Sequence, residues 1–139
     1  MEKKKKKKSL CYCTNIRRAA QALSEYYDAA LREAQLNVAQ YCLMINLSRM
    51  EKANITWWAK EVELDRSTMV RNVKVLESHG WIKLVEGNGK TFALSEEGKL
   101  VLEQAIPLWN KTQNEIKEKV GMEDAEAILR ICDKLQNLT

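Results

Sequence analysis

The chain has 139 residues, 45% of them hydrophobic and 30% charged, a size for one domain, or one domain with added dimerisation helices. Its formal charge is +4, yet residues 1–10 hold six lysines and one glutamate, a charge of +5, which leaves −1 for the other 129. A basic surface over the whole protein is therefore excluded, and nucleic-acid contact has to come from a local patch; no run reaches the roughly 18–20 apolar residues of a membrane span.

Residues 1–10 are expected to form a disordered basic tail, because the like charges of Lys3 to Lys8 repel one another. Such a tail either stays solvated or adds nonspecific phosphate contact. Ser9-Leu10-Cys11-Tyr12-Cys13 is too short and too polar to continue it as a secretion signal. The expectation is a cytoplasmic protein with no membrane partner and reduced thiols at Cys11, Cys13, Cys42 and Cys132. Cys42 and Cys132 fall on apolar helix faces and read as small core residues.

From about Asn15 to Ala34, Ile16, Ala19, Ala20, Leu23, Tyr27, Ala30 and Leu31 recur at intervals of three and four, one stripe of a long helix. Asn37 with Gln40 has capping-box spacing and opens a second helix. A third helix runs from about Thr56 to Glu63, capped by Asn54 or Thr56. Asp65 caps a fourth, Arg66 to about His79, which Gly80 ends. Trp81 to Glu86 and Lys90 to Leu94 read as two strands joined by the tight turn Gly87-Asn88-Gly89. Ser95 caps a long helix to about Lys119, bent or interrupted near Pro107. A last helix opens at Glu123 and Asp124 and ends near Leu138. The fold class is mainly α (α+β): helix, helix, helix-turn-helix, hairpin, helix, helix.

The fourth helix is the informative element. Met69, Val73, Leu76 and Gly80 share one face and pack it down. Arg66, Ser67, Thr68, Val70, Arg71 and Lys74 are the candidate DNA-reading set, with three positive charges and no negative one across residues 66–76. Arginine pairs with guanine edges or phosphate, serine and threonine reach either partner type, and valine touches a thymine methyl. The hairpin that follows is a wing, whose tip Asn88, Gly89 and Lys90 suits a phosphate or minor-groove contact. A basic amphipathic helix by itself often means only a solvated face; helix, turn, helix and glycine-tipped hairpin in this order say more. No metal or catalytic motif is present, so no catalytic residue, cofactor or enzyme activity is expected. The competing reading is a helical protein-interaction module without DNA binding.

Leu36 to Tyr41, Asp65-Arg66-Ser67-Thr68-Met69-Val70-Arg71, Leu76 to Ile82, and Leu94-Ser95-Glu96-Glu97-Gly98 resemble the corresponding stretches of the MarR family of winged-helix regulators. The likeness covers about residues 11–138. It implies a triangular homodimer, with an N-terminal dimerisation helix over 11–36, a winged helix-turn-helix over 37–94 and C-terminal dimerisation helices over 95–139. It implies binding to a pseudo-palindromic duplex operator, and repression or activation relieved by a small-molecule or oxidant effector. Two departures stand out: Lys90 sits near where the family's wings carry an arginine, and Glu63 stands where the turn often has glycine.

Cys11 and Cys13 are the candidate redox or metal-sensing pair, since peroxide-sensing members resemble this chain in keeping a cysteine near the first helix. Two sulfurs do not complete a zinc site. Tyr26, Tyr27, Trp57 and Trp58 are candidates for a ligand pocket, or else core, because aromatics at helical spacing bury area.

Overall fold

In a computed structural model, residues 7–85 and 90–139 are described. Their elements are α1 (Tyr12–Leu31), a single 3-10 turn (Arg32–Ala34), α2 (Val38–Met50), β1 (Ala53–Asn54), α3 (Ile55–Val62), α4 (Arg66–Ser78), β2 (Ile82–Val85), β3 (Thr91–Leu94), α5 (Glu96–Val120) and α6 (Met122–Gln136). Glu86, Gly87, Asn88 and Gly89, the expected wing tip, lie outside the described residues, as do Lys3 to Lys6.

Local chemistry sets most helix starts. The Asn37 side chain accepts from the Gln40 amide while Gln40 Oε1 accepts from the Asn37 amide, a complete capping box. Asn54 caps α3, Asp65 caps α4 and Ser95 caps α5, each accepting from the backbone amide three residues on. α1 begins three residues earlier than expected. Asn15, read as its first residue, lies in the first turn and donates back to the Ser9 and Cys11 carbonyls at 2.7 and 3.0 Å.

The ends of α3 and α4 share one pattern. After α4, Trp81 N–H donates to the Leu76 carbonyl and Gly80 N–H to that of Glu77, with Gly80 at φ +75°. After α3 the same pair of bonds joins Leu64 to Ala59 and Glu63 to Lys60, with Glu63 at φ 56°. The position at which the resemblance implies a glycine is thus left-handed, and this chain fills it with a glutamate at a cost of roughly 1–2 kcal/mol.

The sheet has the order β1-β3-β2, antiparallel throughout, pairing Ala53 with Phe92 and Leu84 with Phe92 from the two sides. β1 was not expected. Two residues carry no alternation pattern, and their partner lies far along the chain. α5 runs unbroken through Pro107, which corrects the expected interruption, though an imino acid still leaves one helical carbonyl without its donor.

The core gathers Leu43, Met44 and Leu47 of α2, Trp58 of α3, Met69, Val73 and Leu76 of α4, and Trp81, Phe92 and Leu94 of the wing base. Trp58 is fully buried, and its Nε1 donates to the Leu43 carbonyl at 3.1 Å, so no polar atom is stranded by its burial. Gly98 at the start of α5 sits so close to Trp81 that a Cβ would fall 2.0 Å from the Trp81 carbonyl oxygen. Only glycine permits that approach of helix to wing base.

Cys42 is exposed, which corrects its assignment to the core. α2 turns Tyr41, Leu43, Met44 and Leu47 inward, and Cys42 falls at the edge of that face. Its sulfur is still shielded enough for desolvation to raise its pKa above the usual thiol value. Cys132 is half-buried. Among the described residues no helix is long and apolar enough to cross a membrane.

Candidate nucleic-acid interface

α3 and α4 pack against each other, and α4 buries Met69, Val73 and Leu76. Its other side leaves Arg66, Ser67, Arg71 and Lys74 exposed, with Thr68 and Val70 half-buried. The structure therefore brings six of the nine candidate DNA-reading residues together on one helix. Lys90, also exposed, immediately precedes β3. Asn88 and Gly89 lie outside the described residues.

The first turn of α4 is organised by Asp65. Its Oδ1 accepts from the Thr68 amide and the Ser67 hydroxyl, both at 2.8 Å, and its Oδ2 accepts from the Thr68 hydroxyl at 3.0 Å. The Thr68 amide, then the two hydroxyls, hold the Asp65 carboxyl below the ordinary carboxylate range. Thr68 Oγ1 in turn accepts from Arg71 Nη2 at 3.3 Å. Arg66 Nη1 donates to Thr56 Oγ1 at 2.8 Å, which ties the start of α4 to that of α3. Thr56 is not among the residues that the sequence places at the DNA face. Its polar side chain at the head of α3 was a signal, but its pairing with a residue ten positions on is visible only in three dimensions.

His79 stacks on Trp81, with ring centroids 4.2 Å apart and an 11° interplanar angle. That aromatic contact places the imidazole ring.

Cys11 and Cys13 flank Tyr12 at the start of α1, both exposed. The Cys11 sulfur makes no capping bond of regular geometry. The Thr14 hydroxyl, then the Thr14 and Cys13 amides, nevertheless hold its pKa below the ordinary thiol value. Cys13 Sγ accepts from Arg17 Nη2 at 3.4 Å. Among the described residues no cluster of three or more His, Cys, Asp or Glu side chains suited to a metal ion occurs.

The four candidate pocket aromatics are not gathered. Trp58 is core, against Phe92, and Trp57 is exposed on α3. Tyr26 joins α1 to α5, donating to Glu115 Oε2 at 2.8 Å and accepting from Lys119 Nζ at 2.9 Å. Tyr27 donates to Gln113 Oε1 and is the one of the four that lines a cavity of about 320 Å³, with Leu23, Ile116, Met122, Ile128 and Leu129. The cavity's other walls come from α5 and α6, where sequence periodicity showed helices but not their mutual placement.

The chain is similar to several solved structures. It is 27% identical to the M. tuberculosis transcriptional regulator MosR in complex with DNA, over 92% of this chain and 99% of that one, with a TM-score of 0.73. The transcriptional repressor CouR, bound to p-coumaroyl-CoA, aligns over 93% of this chain and 94% of its own at 19% identity and a TM-score of 0.85. Sco5413, a MarR family transcriptional regulator from Streptomyces coelicolor, aligns over 89% of each chain at 17% identity and a TM-score of 0.79. No protein-family model and no curated protein sequence matches the chain.

Proposed function

The chain has the winged-helix fold of MarR-family transcriptional regulators, and on that premise we propose that it is a homodimeric, sequence-specific duplex-DNA-binding regulator. The observation that carries this is the exposed Ser67, Arg71 and Lys74 face of α4, set on a helix-turn-helix with a wing beside it. The likeness to a regulator solved on DNA supports it. α4 enters the major groove, and Lys90 contacts backbone phosphate beside it.

The units proposed are an N-terminal dimerisation helix over 11–36, a DNA-binding region over 37–94 and dimerisation helices over 95–139. α6 has no buried residue, yet displays Ile128, Leu129, Ile131 and Leu135. A face of that kind calls for a partner, and a second copy supplies one. The proposed mode is repression, released by thiol or metal chemistry at Cys11 and Cys13 or by a small ligand. The lowered Cys11 pKa favours the thiol route.

The test is binding of the purified protein to duplex DNA from its own upstream region, across salt and with and without a peroxide. Affinity is expected to fall by about a thousandfold between roughly 50 and 200 mM salt if several phosphates are contacted. Absence of binding to any duplex at low salt would overturn the reading in favour of a protein-interaction module. Release by peroxide in the parent chain, but not after Cys11→Ser, would establish the sensor.

A further inference from the structure

The hydrogen bonds around Asp65 decide what kind of base group Ser67 is able to read. A serine hydroxyl has one proton and two lone pairs, and an ionised carboxylate only accepts. Ser67 Oγ lies 2.8 Å from Asp65 Oδ1, so the proton in that bond comes from Ser67. Among the described residues no donor reaches Ser67 Oγ, and the residue is exposed. Its oxygen therefore faces outward as an acceptor with its only proton spent inward. Thr68 is arranged differently: it gives its proton to Oδ2 and already accepts from Arg71.

We infer that Ser67 reads a base amino group in the major groove, N4 of cytosine or N6 of adenine, because Asp65 has taken its proton. The inference rests on the DNA-binding reading above and deepens it. Guanine N7 and O6, thymine O4 and the phosphate oxygens are acceptors, and Ser67 held in this way offers them nothing. Arg71 and Lys74 are donors only, suited to those acceptors. Asp65 thus sets an acceptor at Ser67 beside the donors Arg71 and Lys74 on the exposed side of α4, and with it a base preference that those cations cannot produce. Asp65 acts as a positioning residue, since it sets the polarity of Ser67 without itself reading the base.

The experiment uses the full chain and the duplex it selects most tightly from a random pool. In that duplex single bases are replaced by analogues that lack either the exocyclic amino group or the ring N7. At one position of each half-site, loss of the amino group is expected to weaken the parent protein by about tenfold. Ser67→Ala is expected to bind the amino-bearing and amino-less duplexes alike at that position. Asp65→Ala, shown folded by circular dichroism, is expected to weaken the same discrimination, because a Ser67 hydroxyl no longer oriented by the carboxylate both donates and accepts. The inference is overturned if the Ser67→Ala effect maps to an N7 deletion or to a neutralised phosphate, or if Ser67→Ala matches the parent at every analogue. A parent protein that binds no duplex at low salt overturns the DNA reading itself, an outcome distinct from binding with the wrong base dependence.

Discussion

Two cysteines show how surroundings change the chemistry of one residue type. Cys11 and Cys42 are both exposed thiols, but the Thr14 hydroxyl lowers one pKa and desolvation raises the other. A lowered pKa means more thiolate at a given pH, and the thiolate is the nucleophile. Cys11 is therefore expected to alkylate faster than Cys42 near neutral pH. Thr14→Val removes the largest lowering contact and should move the Cys11 alkylation profile to higher pH while leaving Cys42 unchanged. Site-resolved iodoacetamide rates measured across pH check this; equal profiles in the parent and the variant would refute it. The cysteine pair was legible as a candidate from its place before α1. The difference between Cys11 and Cys42 was not, because periodicity puts Cys42 on the same stripe as buried neighbours and cannot show the shallow edge where it sits.

Among the elements, the turn between α3 and α4 carries the testable strain. Glu63 adopts φ 56° where glycine has no steric penalty. Glu63→Gly is expected to stabilise the protein by about 0.5–1 kcal/mol, the relief of left-handed strain less the added freedom of the unfolded chain. Thermal unfolding at fixed protein concentration reads this, and a lower midpoint would show that the glutamate side chain stabilises the turn. The departure at this residue was visible in the sequence, and its physical meaning appeared only with the backbone angle. Caps were the most legible features: Asn37, Asp65 and Ser95 act on amides three residues away, so sequence proximity is spatial proximity. β1 was illegible for the opposite reason, since Ala53 finds its partner at Phe92. The exposed side of α4 was legible because its buried side is so regular, whereas the Arg66 link to Thr56 depends on how two helices pack.

For the whole molecule, the apolar side chains of α6 are the feature that a single chain leaves unsatisfied. Leu129 is 74% exposed in the middle of that helix. If a second copy covers it, Leu129→Glu is expected to raise the dimer dissociation constant by about thirtyfold, equivalent to roughly 2 kcal/mol. Analytical ultracentrifugation over a concentration series measures this. An unchanged dimer, or a parent chain that is monomeric at high concentration, would place the interface elsewhere or remove it. DNA affinity is expected to fall together with dimerisation, because two recognition helices then no longer engage one operator jointly.

The strand order has a consequence for synthesis. β3 is the middle strand, yet it leaves the ribosome after both of its neighbours. β1 and β2 emerge with their pairing edges open, and Trp58 emerges without the Phe92 it will pack against. A nascent chain ending before Thr91 holds the full helix-turn-helix sequence but lacks the strand that closes its core. The helix-turn-helix unit therefore matures only when the wing's returning strand has been made, which ties the completion of α4's packing to a segment more than ten residues downstream of it.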